Sequence, residues 1–424
     1  MRQFAQYISQ LENLAVEGVT DSQMLAPALN GEPSAHLRRS VDLPRIREYG
    51  AYFTGHKLAK VALRPLSDID EHSVILDPAC GAGDLLIRVA SHLPVQRTLT
   101  ATLRRWGEQI RGIDVVPEFV RATRCRLALT ALAAGAVRGN FRLSSLPRLL
   151  PGIQQGDGLA ASREYARATH VVMNPPFTTI RPRENPSWRR GTISAAALFL
   201  ASCLENVGQR ARVVGILPEV LRTGSSYKHW RIFVGEMTSR LRCASRGQFA
   251  PWGDVDVFTF DLTAGSSCRR DHRWGHPQGR SENRIGDRFD VRVGSVVPHR
   301  HRDAGEEYAY VHARSVPPWG EIKRINERRG FEGRLFEPPL VVVRRTSRPG
   351  DKYRAIPTLI RGARPIAIEN HLLVLLPYRR SLAECRSLIR LLRNTRTNGW
   401  LDSKICCRHL TVGALSQMPW WADE

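Results

Sequence analysis

VILDPACGAGDLL, residues 74–86, decides the architecture. A short apolar run ends in an acid, Asp77, and gives way to a turn carrying Gly81 and Gly83 before a helical pattern resumes. Such a run suits a parallel strand covered on both faces, and small residues in the turn let backbone amides approach a ligand at a helix N-terminus. A dinucleotide fingerprint would place a third glycine at 86, where Leu86 stands, so a nicotinamide cofactor is disfavoured. Outward from this stretch the same rhythm repeats. Strands are predicted at 73–77, 109–114, 170–174 and 212–217, helices at 84–92, 117–134 and 194–207, and a helix at 227–238 leads to a strand pair at 244–249 and 255–262. Pro117 with Glu118 marks a helix start, and Val120, Leu127 and Ala131 are expected to face the sheet.

With 424 residues the chain exceeds a single core, and two domains are expected. Before the α/β region lies an amphipathic segment (Phe4, Tyr7, Ile8, Leu11, Leu14) that reads as a helix packing on the main body. The boundaries read as an N-terminal helical segment at 1–45, the α/β domain at 46–265, an Arg-rich linker or loop at 266–288 and a second domain at 289–424. In the second domain a strand is predicted at 340–344, another at 366–376, and a helix at 383–393. Hydrophobic residues at 42% and charged residues at 24% exclude a disordered or fibrous chain. No run of 18 apolar residues exists, and Glu12 and Glu17 interrupt the N-terminus, so a cytoplasmic protein without a membrane partner is expected. Eight cysteines show no CxxC pair and no zinc-like spacing, and no metal is expected. The net charge is +23; lysine stands only at 57, 60, 228, 323, 352 and 404, so 57 of the 63 basic residues are arginine. That balance suggests a polyanionic partner, with planar forks suited to phosphates and guanine edges.

Two further acids follow the glycine turn. Asp114 ends the next strand, where a carboxylate can accept from both hydroxyls of a ribose, although capping the helix at Pro117 accounts for it equally well. Asp157, in QGDGLA, is placed to accept from an adenine amino group or to serve a turn. The decisive chemistry lies in THVVMNPPFTTI at 169–180, where an apolar strand emerges into Asn174, Pro175, Pro176 and Phe177. Consecutive prolines donate no hydrogen bonds and stiffen the turn, so the Asn174 side chain and the Pro175 carbonyl are presented as fixed acceptors. Such acceptors suit an exocyclic amine: taking its two hydrogens makes the nitrogen pyramidal and frees its lone pair. Phe177 would stack against the ring. The following loop interleaves Arg181, Arg183, Arg189 and Arg190 with Trp188, a candidate DNA clamp or a plain solvated loop. Arg344, Arg345 and Arg348 are candidate groove contacts in the second domain. The triplet EIK at 321–323 lacks an upstream Pro-Asp and reads as chance, not as half of a nuclease signature.

REYGAYFTGHKLAKVAL at 47–63, DPACGAG at 77–83 and NPPF at 174–177 together resemble the S-adenosylmethionine-dependent DNA adenine-N6 methyltransferases of the gamma class. The phenylalanine form of the tetrapeptide is similar to type I modification subunits and their type II restriction-modification relatives. The resemblance covers about 46–265 and reaches the C-terminal region only loosely. It implies a Rossmann-like methyltransferase domain with a mostly parallel central sheet, followed by a smaller α+β target-recognition domain. It further implies that Tyr52 and Thr54 hold the methionine part of S-adenosylmethionine, with Asp77, Ala79, Gly81 and Gly83 around it, Asp114 on the ribose and Asp157 on the cofactor adenine. Asn174, Pro175, Pro176 and Phe177 would act on an adenine rotated out of duplex DNA, with an aromatic wall opposite drawn from Phe249, Phe258 or Phe260. The family usually has proline where this chain has Gly55, a change expected to loosen the cofactor loop.

The reading that results is a site-specific adenine methyltransferase of a restriction-modification or phage-defence system. Its partners would be double-stranded DNA and a separate restriction or specificity subunit, with no nuclease domain of its own. Three alternatives stand beside it: an RNA guanine-N2 methyltransferase, a protein glutamine methyltransferase, and a catalytically weak methyltransferase-like DNA-binding subunit. The first two place their catalytic domain last, whereas here a long segment follows it.

Overall fold

A computed structural model describes residues 2–30, 33, 35–36, 54–182, 184–250, 253–266, 271–274, 283–348, 350–405 and 409–421. The chain divides into two compact units, the first comprising 1–222, 226–246 and 257–274, the second 223–225, 247–256 and 275–424.

The first unit is built on an eight-stranded sheet, of which only the tips of two strands, 247–250 and 253–256, fall in the second unit. Its strands are β1 (Ile75–Asp77), β2 (Ile110–Asp114), β3 (Ile153–Gln155), β4 (His170–Met173), β7 (Arg212–Pro218), β8 (Thr238–Ala250), β9 (Gly253–Ala264) and β10 (Asp271–Arg273), in the spatial order β10-β8-β9-β7-β4-β1-β2-β3. The short strands β5 (Thr179–Ile180) and β6 (Ile193–Ser194) pair separately. From β3 to β7 every pairing is parallel, and β9 then runs antiparallel to β7. Successive side chains point to opposite faces, and both faces are buried: Ile75, Val172 and Val214 enter one core, while Leu76, Val171, Met173, Val213 and Leu217 enter the other.

The main helices of this unit are α1 (Arg2–Glu17), α2 (Ser22–Leu29), α3 (Gly55–Leu63), α4 (Asp84–Ala90), α5 (Leu99–Gln109), α6 (Pro117–Ala133), α7 (Ala195–Asn206) and α8 (Lys228–Glu236), with shorter ones at Leu146–Leu149, Ser162–Arg167 and Glu219–Thr223. Phe4, Tyr7, Ile8 and Leu11 of α1 are buried, and Leu14 packs against the same core. Helix α6 starts on Pro117 as expected, but it is buried on nearly every side because α1 and α2 cover its outer surface. Neither α5 nor β3 was expected from the sequence. Within the supposed linker at 266–288, residues 271–273 instead form the edge strand β10, and Ile285–Arg288 makes a helical turn in the second unit.

The second unit holds a five-stranded sheet, β11-β18-β15-β16-β13, and a three-stranded one, β14-β12-β17. The strands are β11 (Phe289–Val293), β12 (Glu307–Val311), β13 (Glu321–Ile322), β14 (Arg328–Gly330), β15 (Leu340–Arg344), β16 (Pro357–Ile360), β17 (Ile366–Ile368) and β18 (Leu372–Pro377). Val341, Val343, Leu373 and Leu375 pack beneath helix α9 (Leu382–Arg393), while Leu340, Val342, Leu372 and Val374 meet Phe336, Ile366 and Ile368. The single strand expected at 366–376 is two strands in different sheets, separated at Glu369, whose carbonyl accepts from Leu372 N–H at 3.0 Å.

Candidate active site

The parallel strands β1, β2 and β4 bring their carboxyl ends to one edge of the sheet, so Asp77, Asp114 and Asn174 converge though widely separated in the chain. They line a cavity of about 240 Å³ together with Thr54, Ala79, Gly81, Asp157 and Pro176. Gly83 and Pro175 are not on its wall. Phe177 is also absent from it and packs instead, half-buried, against the core containing Met173 and Phe258. Tyr52 and Arg183 lie outside the described residues.

The glycine turn is held by the end of β2 and by α6. Gly81 and Gly83 have φ of +54° and +86°, a region in which a β-carbon is strained. Cys80 N–H donates to the Ile113 carbonyl at 2.9 Å, Gly81 N–H donates to Asp114 Oδ2 at 2.9 Å, and the Thr123 hydroxyl donates to the Gly81 carbonyl at 2.8 Å. The other Asp114 oxygen accepts from Val116 N–H at 2.9 Å, so this carboxylate organises the loop as well as facing the cavity. Exposed Asp157 caps a helical turn through Leu159 N–H at 2.9 Å. Beside it, a β-carbon on Gly158 would stand 1.8 Å from the Pro78 carbonyl oxygen, so only glycine lets these two loops touch. Sequence reasoning passed over Gly158, Thr123 and Phe199, which also lines the cavity; QGDGLA contained the glycine but not the contact that requires it.

Electrostatically the cavity wants positive charge. Asp77 is 2% exposed, and its carboxyl is raised to about 8, chiefly by burial, with the Asp114 and Asp84 carboxylates adding to the rise and the Ala79 N–H opposing it. Burial also pushes Asp114 up, against the hydrogen bonds from Val116 and Gly81. Elsewhere on the wall, Asn174 Nδ2 donates to Thr54 Oγ1 at 3.0 Å, which fixes the orientation of the carboxamide.

The loop after Phe177 differs from a solvated clamp. Its ends are joined where Thr179 pairs with Ser194 and Ile180 with Ile193. Trp188, expected on DNA, is 7% exposed and lies in the core with its ring 6.4 Å from that of Phe233, because an indole loses more by solvation than a loop gains by displaying it. Arg189 sits over the Tyr227 ring at 4.6 Å and donates to the Ser226 carbonyl at 2.8 Å, leaving Arg181 and Arg190 as the loop's exposed described arginines. Of the second unit's candidates, Arg344 and Arg345 donate to the carbonyls of Val316 and Asn370, while Arg348 is exposed. Phe258 and Phe260 are core residues, and Phe249 is half-buried on β8.

Residues 45–221 match the family model of the N-6 DNA methylases. The matched segment contains the glycine turn, the three acids and the Asn-Pro-Pro-Phe corner. The fold is similar to that of the type IIL restriction-modification enzyme MmeI, solved in complex with DNA, over 91% of this chain and 70% of that one, with a TM-score of 0.53 and 12% identity. The type IIG restriction endonuclease BpuSI is similar over 93% of this chain (TM-score 0.45, 15% identity), and a type I modification subunit from Vibrio vulnificus YJ016 over 55% (TM-score 0.40, 16% identity). The chain spans 62% and 47% of the lengths of these two proteins. No curated protein matches the sequence. Among the described residues no helix is long and apolar enough to cross a membrane.

Proposed function

We propose that this protein is a site-specific DNA methyltransferase that moves a methyl group from S-adenosylmethionine to the N6 amine of an adenine rotated out of the duplex. The observation that carries the reading is the meeting of Asn174 with the acidic cradle of Asp77 and Asp114 in one cavity. A ligand bearing a sulfonium and an ammonium fits that donor set, because burial and the neighbouring Asp114 and Asp84 carboxylates penalise the negative charge on Asp77, which a cation would relieve. When bound, S-adenosylmethionine supplies a methyl carbon activated by its cationic sulfur. Thr54, Asp77, Ala79 and Gly81 would hold its methionine part, with Asp114 at the ribose and Asp157 at the adenine. Gly83 shapes the turn.

The chain's own contribution is alignment. Asn174 and the Pro175 carbonyl accept the amine hydrogens, so the nitrogen lone pair points along the line of transfer. That nitrogen would accept the methyl group the bound cofactor supplies, and its surplus proton would pass to solvent. Pro176 closes the wall, and Phe177 turns from its half-buried position to stack on the base.

Residues 289–424 are assigned to target recognition. Arg181, Arg190 and Arg348 are the described exposed arginines placed on phosphates or base edges. The natural setting is a restriction-modification or phage-defence system in the cytoplasm, with duplex DNA and a separate specificity or restriction subunit as partners. Incubation with tritiated S-adenosylmethionine and either genomic DNA or ribosomal RNA tests the reading. Label on N6-methyladenine in DNA is expected; label on RNA alone, or none on either, overturns it.

A further inference from the structure

One arginine of helix α6 is wholly buried. Arg126, in RCRLALTALA, is 0% exposed, and a buried guanidinium persists only with a carboxylate and further acceptors around it. Its Nη1 donates to Asp84 Oδ1 at 2.8 Å and to the Ala82 carbonyl at 2.5 Å, while Nε donates to the Ala28 carbonyl of α2 at 2.8 Å. The same Asp84 carboxylate accepts, on Oδ2, the backbone N–H of Gly55 at 2.8 Å.

Gly55 is where the expected proline is missing, and its geometry says what the glycine does. Its φ is +67°, which proline cannot adopt, and it contributes an N–H that proline does not have. The loosening expected from the sequence is therefore replaced by a tether to a buried ion pair. The residue before it, Thr54, accepts from Asn174 Nδ2 at 3.0 Å. Arg126, Asp84, Gly55, Thr54 and Asn174 thus form one continuous series of contacts drawn from four separate segments of chain.

We propose that Arg126 is a positioning residue, acting through Asp84 and Gly55 to hold Thr54 and so to orient the Asn174 carboxamide toward the reacting amine. The proposal rests on the methyl-transfer reading. Asp84 also sits at the N-terminus of α4, where a carboxylate stabilises the helix regardless of catalysis, so the test must separate orientation from folding.

The full chain is compared with Asp84→Asn, Thr54→Val, their combination, and Arg126→Lys. Single-turnover methylation of DNA with tritiated S-adenosylmethionine is measured per cofactor-binding site counted by equilibrium dialysis, which removes unfolded protein from the comparison. Each single variant is expected to slow transfer roughly 10- to 100-fold, the range for a misaligned reactant. The combination should be no slower than its worse parent, since both cut the same series of interactions. Additive losses, or rates per site equal to wild type, overturn the proposal. A second readout requires no turnover: in protein labelled with 15N at asparagine, the Asn174 side-chain resonance, identified by its loss in Asn174→Ala, should shift in Asp84→Asn and Arg126→Lys toward its position in Thr54→Val. An unmoved resonance overturns the proposal even if activity falls. If the wild-type chain methylates nothing, the methyl-transfer reading fails, and the resonance alone still decides whether Arg126 orients Asn174.

Discussion

Asp77→Asn sets the charge of the cradle against the stability of the fold. The carboxyl is 2% exposed, and burial, reinforced by Asp114 and Asp84, moves it from 3.8 to about 8. The folded protein then holds this proton more tightly than the unfolded chain, and unfolding releases it between those two values. The stabilising contribution is accordingly complete below pH 3.8 and is lost as the pH rises through about 8. Each pH unit in that window removes up to about 1.4 kcal/mol, and the full span is on the order of 5 kcal/mol. Asparagine cannot ionise, yet its side-chain oxygen can still accept the Ala79 N–H that Asp77 Oδ1 accepts at 3.1 Å. The variant should therefore lose this component of the slope and melt above the parent at pH 8. Cofactor binding should respond in the opposite sense. A cationic ligand selects the ionised carboxyl, so affinity for S-adenosylmethionine should rise about fifty-fold from pH 6 to pH 8 if only that form binds, then level off. The variant should bind weakly at every pH. Calorimetric melting across a pH series and isothermal titration measure both. Parallel melting curves for the two proteins, or a parental affinity flat between pH 6 and 8, would refute the assignment of Asp77 as the cradle's charge.

Other substitutions probe separate parts of the structure. Asn174→Ala should abolish methyl transfer while S-adenosylmethionine still binds; retained turnover would remove Asn174 from its proposed role. Gly158→Ala forces a β-carbon toward the Pro78 carbonyl and should cost about 1–3 kcal/mol in thermal stability, with cofactor affinity falling as the wall is displaced. Trp188→Ala should cost about 3–5 kcal/mol in denaturant unfolding, as expected of a core indole. Removing Arg181 and Arg190 together should leave stability unchanged but flatten the salt dependence of DNA binding, by about 0.9 in log–log slope for each phosphate no longer neutralised. An unchanged slope would place those two arginines away from the DNA.

Much of the first unit was legible because both faces of its sheet are buried, so β1, β4 and β7 read as apolar runs and the turns between them as glycine or proline. Helix α5 was hidden by composition. Its threonines and Gly107 argue against a helix, and the glycine is needed because a β-carbon there would stand 2.0 Å from the Leu149 carbonyl oxygen. Strand β3 has three residues, two of them exposed glutamines at a sheet edge, which leaves no apolar pattern to read. IAIENHLLVLLP looked like one strand because period-two reasoning does not register a change of sheet at Glu369. At the site, residue types announced Asp77, Asp114 and Asn174, which come together at the strand ends. Arg126 was unreadable: its value lies in carbonyls and a carboxylate supplied from positions 28, 82 and 84, partners that no local pattern encodes. Trp188 was misjudged for the reverse reason, since an aromatic among arginines suggests a ligand until its neighbours in the core are known.

The stapled stem at Thr179–Ser194, with the indole of Trp188 sunk beneath it, divides the intervening segment into two short spans instead of one long free arc. Closing a loop costs entropy that grows with its contour, so anchoring the midpoint lowers the disorder to be surrendered when anything docks there. A polymer meeting this prong at Arg181 or Arg190 would contact residues close to a fixed anchor, and more of each interaction would appear as residence time on the complex.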